Sequence, residues 1–267
     1  MTTRPLRIGQ IVPSSNTTME TEIPAMLRAR EAIRPERFTF HSSRMRMHRV
    51  TQEELEAMNR ESLRCAAELA DARVDVISTA CLVAIMAMGP GQHHRTEREL
   101  RDIARRNHSE APVMTSAGAL IEGLRILGAR RVALLAPYMR PLTEKVIAYI
   151  EAEGITVVDS ISFEIPDNLE VGRRDPALLL DDVNRLDIAG ADAVVLSACV
   201  QMPSLPSVQR AEDRLGLPVT STAVCTVRTM LDRLGLDPVV PGAGALLSGR
   251  FPARGTAQSS PEQPRLS

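Results

Sequence analysis

The chain has 267 residues, 24% charged, with a formal net charge of -1. That balance excludes a basic stripe for nucleic acid and a polybasic membrane patch. Tryptophan is absent and aromatic residues make up 2%, which excludes base-stacking platforms.

No run of about 18 apolar residues occurs, so no membrane span is expected. The N-terminus lacks an apolar signal region, and the expected location is the cytoplasm. Thiols stay reduced there, so the four cysteines are expected to be unpaired. No CxxC or HExxH pattern is present, and neither a metal nor a cofactor is expected. The length suits one large α/β domain or two small lobes, each able to bury its own core.

Leu6 to Val12 reads as the first strand. Pro13-Ser14-Ser15-Asn16-Thr17-Thr18 ends it and opens a helix, with Ser, Asn and Thr as candidate caps. Such a helix start is either an ordinary cap or an anion site. Phe38 to Ser42 reads as a second strand, and Ser43 to Val50 carries Arg44, Arg46, His48 and Arg49. That basic stretch is either a lid over an anionic ligand or a solvated loop. Thr51 to Glu54 is a capping box. Leu55, Met58, Ser62, Cys65, Ala66 and Leu69 then share one helical face, which makes Cys65 a packed residue.

Asp75 to Cys81 is a buried strand ending in Ser78-Thr79-Ala80-Cys81. Gly89-Pro90-Gly91 marks a loop, followed by a polar helix through Arg106. Ala111 to Ser116 is a short strand with a helix cap. Gly128 ends the helix from Gly118 to Leu127. Val132 to Ala136 is a strand leading to Pro137-Tyr138. A helix runs from there to about Glu153, stopped by Gly154, and Ile155 to Val158 is a strand. Ile165 to Arg174 reads as a polar loop, and Asp175-Pro176 opens a helix to about Leu186. Ala193 to Cys199 repeats the thiol-ended strand, with Val200 to Ser204 as its turn. Leu217 to Val219 is a short strand, and Thr220 to Thr222 cap a helix through Leu234 that packs Cys225. The tail from Pro252 has no periodicity and is expected to be disordered.

The halves align. Ile8 to Pro13 matches Val132 to Pro137, the Cys81 strand matches the Cys199 strand, and Pro112 to Ser116 matches Pro218 to Ser221. Alternating strands and helices predict an α/β fold of two pseudosymmetric lobes. Each lobe is a parallel sheet flanked by helices, with the active site between them. The expected division is 1–111 plus 222–250 for the first lobe and 112–221 for the second. Ligands bind beyond the carboxyl ends of such strands. Asn16, Cys81, Tyr138 and Cys199 all follow strands and share that end.

Two facing thiols permit two kinds of chemistry. One is two-base proton transfer at an activated carbon, as in a racemase. The other is addition of a thiolate to an electron-poor double bond, rotation about the resulting single bond, and elimination. A two-lobe small-molecule-binding domain is the non-enzymatic alternative.

The Pro13 to Glu20 run, the Ser-Thr-Ala-Cys81 turn, Ala-Pro-Tyr138, the loop around Asn168 and Ser-Ala-Cys199 together resemble the maleate cis–trans isomerases of the aspartate/glutamate racemase superfamily. The resemblance covers roughly Arg7 to Gly249. It implies a cofactor-independent enzyme that binds a small dicarboxylate, maleate, and forms homodimers or larger oligomers. It implies Cys81 as the nucleophile and Cys199 as the partner thiol. Asn16, Tyr138 and Asn168 would hold the carboxylates, with backbone N–H groups of Leu82, Val83, Val200 and Gln201 as further donors. Two-cysteine amino-acid or hydantoin racemases and arylmalonate decarboxylase-like enzymes are the alternatives within that superfamily.

Overall fold

The computed structural model of the chain describes residues 4–47 and 52–252. In the first half the elements are β1 (Leu6–Pro13), α1 (Met19–Glu31), β2 (Phe38–Met45), α2 (Gln52–Asp71), β3 (Val76–Thr79), α3 (Leu82–Met86), α4 (Gln92–Arg106), β4 (Val113–Thr115) and α5 (Ser116–Ile126). The second half has β5 (Arg131–Ala136), α6 (Arg140–Ala152), β6 (Thr156–Ser162), α7 (Asn168–Arg173), α8 (Leu179–Asp182), β7 (Ala193–Ser197), α9 (Leu205–Leu215), β8 (Val219–Ser221) and α10 (Thr222–Arg233).

The strands form two parallel four-stranded sheets, ordered β2-β1-β3-β4 and β6-β5-β7-β8. Runs such as Val132 to Ala136 are buried throughout, as parallel sheets covered on both faces require. The expected α/β architecture of two similar lobes is the architecture found.

The repeat extends to single hydrogen bonds. Ala80 N donates to Ile11 O at 2.9 Å, and Ala198 N to Leu135 O at 2.9 Å. Ile77 N donates to Pro112 O, and Val194 N to Pro218 O, both at 2.9 Å. The Asp75 carboxylate accepts from Arg7 N at 2.7 Å, and Asp192 from Arg131 N at 2.8 Å. Thr115 and Ser221 cap α5 and α10 by accepting from Gly118 N and Val224 N. The thiol-bearing turns therefore leave their sheets in equivalent frames. β4 lies past residue 111 and yet completes the first sheet, as β8 completes the second, because each fourth strand pairs with the thiol strand.

One large apolar core runs through both sheets, and a smaller one lies between the first sheet, α2 and α4. The predicted α2 face of Leu55, Met58, Ser62, Cys65, Ala66 and Leu69 is buried. Burying Leu55 and Met58 there stabilises the fold by roughly 1.5–3 kcal/mol each. Gly128 and Gly154 hold φ of 72° and 82° after α5 and α6, the left-handed backbone that glycine adopts without strain.

Several elements differ from expectation. α9 falls where only a turn and a strand were expected. Pro206 lies in the first turn of α9, where its missing N–H leaves no hydrogen bond unmade. The segment after Asp175 is not one helix but two 3-10 turns around α8, the tighter winding that short helices take at their ends. The polar loop before Arg174 contains α7, capped by Asp167. β2 runs on to Met45, so Arg44 belongs to a strand and not to a lid. Its guanidinium donates to Ser14 O at 3.0 Å and Asn16 O at 2.7 Å and pairs with Glu20. His48 and Arg49 of the basic stretch, Thr51 of the capping box, and the tail after Pro252 lie outside the described residues.

Candidate active site

β1 ends at Pro13, and Asn16 N donates back to Pro13 O at 2.8 Å, closing a turn. The Asn16 side-chain oxygen accepts from Thr18 N and Met19 N, each at 3.0 Å. It thereby caps α1 and satisfies two N–H groups that a helix start leaves unpaired. This commits Oδ1 to the helix and leaves Nδ2 as the free donor of a side chain that is 2% exposed.

Cys81 sits between β3 and α3 with φ 76° and ψ 91°. A non-glycine residue there carries strain of order 1–3 kcal/mol, which the buried flanks Ala80 and Leu82 hold in place. Its exposure is intermediate, whereas Cys65, Cys199 and Cys225 are buried. Burial pushes the Cys81 thiol up to about 12; the Ala84 and Val83 amides pull it down, and Cys199 adds to the rise.

Cys199 occupies the matching place after β7. Its thiol is also raised by burial, against the opposing pull of the Tyr138 hydroxyl and the Gln201 and Met202 amides. Gln201 N donates to Sγ at 3.4 Å. Ser197 Oγ lies 2.7 Å from Cys199 O and 3.2 Å from Met202 O, tying the turn to its strand. The Tyr138 hydroxyl donates to Ala198 O at 3.0 Å. Burial, with both thiols nearby, raises that phenol well above its usual range, so it stays a neutral donor.

Asn168 opens α7, and its Nδ2 donates to Ser15 Oγ at 2.9 Å. All nine residues singled out from the sequence, Asn16, Cys81, Leu82, Val83, Tyr138, Asn168, Cys199, Val200 and Gln201, line one cavity together with Pro13 and Met47. Among the described residues, no lining side chain is an Asp, Glu, Lys or Arg. The free volume is about 20 Å³, close to what one water needs, so a dicarboxylate enters only if the walls part.

Three contributors escaped sequence reasoning. Met47 walls the cavity, held by Ser14: Met47 N donates to Ser14 Oγ at 3.0 Å and Ser14 Oγ donates to Met47 O at 3.2 Å. The side chain of Gln201 ties the two halves of the site together. Glu22 accepts from Ser204 N at 2.5 Å and Leu205 N at 2.6 Å, joining α1 to the start of α9. For Glu22, the acidic residue in the first turn of α1 was the available signal.

The arylmalonate decarboxylase family model matches residues 8–247. A maleate isomerase of Geobacillus stearothermophilus is 63% identical over 246 residues, 92% of this chain and 98% of its own. The maleate isomerase Iso of Pseudomonas putida, solved as a cysteine-to-alanine variant with maleate, superposes with a TM-score of 0.92 at 55% identity, covering 93% of this chain and 99% of that one. A cysteine-to-serine variant of the Nocardia farcinica maleate cis–trans isomerase, with a covalently bound succinylcysteine intermediate, gives 0.88 at 50% identity, covering 92% and 99%. The chain belongs to the arylmalonate decarboxylase family, and within it to the maleate isomerases.

Proposed function

We propose that this chain converts maleate to fumarate by adding the Cys81 thiolate to the double bond, with Cys199 as the proton carrier on the other side. The observation that carries the reading is the pairing of two thiols on equivalent strand ends in one cavity whose other polar groups, among the described residues, are neutral donors.

The steps balance without an added reactant. Cys81, as thiolate, forms a C–S bond to one alkene carbon. The π pair moves to the other carbon, which takes the Cys199 proton and leaves a succinyl thioether. The former double bond is now single and rotates. The Cys199 thiolate takes the proton back, the double bond re-forms in the trans geometry, and Cys81 leaves as thiolate. The succinylcysteine of the Nocardia farcinica variant supports this covalent route.

Charge develops on the carboxylate next to the carbanion, and donors preorganised toward it lower the barrier. Asn16, Asn168 and Tyr138 supply neutral donors, which avoid the fixed ion pairs that would hold substrate and product equally well. The strained, partly exposed backbone position of Cys81 has no counterpart at Cys199 among the described residues, and this asymmetry supports Cys81 as the attacking thiol. Four unpaired cysteines suit a reducing, cytoplasmic setting, and a homodimer or larger assembly accompanies the reading.

Reduced, chelator-treated protein incubated with maleate and followed by proton NMR tests the reaction. Fumarate forming without added cofactor is expected. Unchanged maleate beside folded protein would move the reading to a racemase or decarboxylase.

A further inference from the structure

The Gln201 side chain is 2% exposed and uses its whole hydrogen-bonding capacity. Its Oε1 accepts from Thr17 N at 2.8 Å and Thr18 N at 3.2 Å. Its Nε2 donates to Ser15 O at 3.1 Å and Asn168 O at 2.8 Å. A carboxamide has two acceptor sites and two donors, and all four are matched. Three of the partners belong to the turn that carries Asn16, and the fourth is the backbone of Asn168. The backbone N–H of the same residue meets Cys199 Sγ. One residue thus touches the partner thiol with its main chain and, with its side chain, the segments of two of the three candidate carboxylate anchors, Asn16 and Asn168.

We propose that the Gln201 carboxamide is a positioning residue for the reaction, setting the spacing between the Cys199 turn and the Asn16 and Asn168 segments. This rests on the isomerase reading for its effect on turnover. The assignment concerns the side chain and is separate from any donation to substrate by the Gln201 amide. Alignment of this kind is demanding, since displacement by about 1 Å can cost roughly 100-fold in rate.

The structure supplies two independent ways to disturb the carboxamide. Gln201→Met keeps the length and removes all four bonds. Gly172→Ala leaves Gln201 intact but crowds its contact with the Asn16 turn, because a Cβ on Gly172 would lie 2.5 Å from Gln201 Nε2 and 3.0 Å from Thr17 Oγ1. Gly172 does not line the cavity.

The test reads two quantities on folded protein. The first is the pH profile of iodoacetamide alkylation at Cys199 and at Cys81, resolved by peptide mass, with no substrate present. The second is kcat and KM for maleate. Both variants are expected to move the Cys199 profile to higher pH, because its turn no longer holds the Gln201 N–H on the sulfur, and to leave the Cys81 profile in place. Both should lower kcat and raise KM, with kcat/KM down by about 10- to 100-fold. Unmoved Cys199 profiles in both variants overturn the proposal, as does a loss of activity that only follows the fraction of unfolded protein. If Gln201→Met does not fold, Gly172→Ala decides alone. Wild-type protein inert toward maleate would defeat the isomerase reading, while the alkylation profiles would still test the side chain's hold on Cys199.

Discussion

Asn168 donates from Nδ2 to the Ser15 hydroxyl at 2.9 Å, a bond between residues 153 positions apart. It joins the start of α7 to the β1–α1 turn, so one candidate carboxylate anchor is held against the segment that carries another, Asn16. The bond uses one of the two Nδ2 protons and leaves the second to point elsewhere.

Replacing that donor should weaken substrate binding. Asn168→Asp puts an anion beside a dianionic substrate, and Asn168→Ala removes the donor without adding charge. A hydrogen bond to a charged group contributes about 1.5–3 kcal/mol, so KM should rise roughly 10- to 150-fold in the alanine variant and further in the aspartate one. Steady-state kinetics checks this; an unchanged KM in both would remove Asn168 from the binding machinery.

Tyr138→Phe deletes the hydroxyl that bonds Ala198 O and faces Cys199. The buried carbonyl loses its partner, which costs about 1–3 kcal/mol of stability. Turnover should fall about 10- to 100-fold, with the Cys199 alkylation profile moved to higher pH, since Tyr138 pulls that thiol down. Urea unfolding and alkylation read the two effects separately. A variant with normal turnover would leave the phenol a purely structural role.

The thiols should be protonated at neutral pH. An acid whose pKa is raised loses its proton only at higher pH, and the thiolate is the reactive form. Iodoacetamide labelling of Cys81 should therefore climb about tenfold per pH unit with no plateau below about pH 10, and kcat/KM should rise with pH over the same limb. Cys81 should label first, as the least buried thiol, and Cys65 and Cys225 last. A labelling plateau near neutral pH would contradict the raised thiol.

Glu22 should make stability fall as pH rises. Burial, against the Leu205 and Ser204 donors, raises its pKa above 4.5. In the window above that ordinary value the folded chain holds a proton that the unfolded chain has released, so stability decreases as pH rises through it. Glu22→Gln keeps an acceptor oxygen and removes the titration. Urea unfolding between about pH 4.5 and 7 should show a shallower decline in the variant than in wild type. Parallel curves would mean Glu22 is not a source of that decline.

Much of this site was readable because its residues follow strands. Cys81 and Cys199 end two similar apolar runs, and Asn16 and Tyr138 come shortly after the matching Pro13 and Pro137, so parallel-sheet topology alone sends them to one end. Local pattern also placed Cys65 and Cys225 in packed helix faces. What failed depends on tertiary partners. The Gln201 carboxamide meets groups up to 186 positions away, and no local spacing signals that. Met47 reads as part of a basic stretch, and only the extension of β2 and the Ser14 bonds turn it onto the cavity. α9, between the expected turn to Ser204 and the strand from Leu217, opens with Pro206 in its first turn, and prolines that open and break helices look alike in sequence.

The most direct test of the covalent account is to trap the adduct. Cys199→Ser replaces the proton carrier by a hydroxyl that ionises far less readily, so the thioether formed at Cys81 should persist. Peptide mass spectrometry after incubation with maleate should find the Cys81 peptide heavier by one maleate, and Cys81→Ser should abolish the adduct. An unmodified Cys81 in a Cys199→Ser variant that still forms fumarate would contradict addition at that thiol.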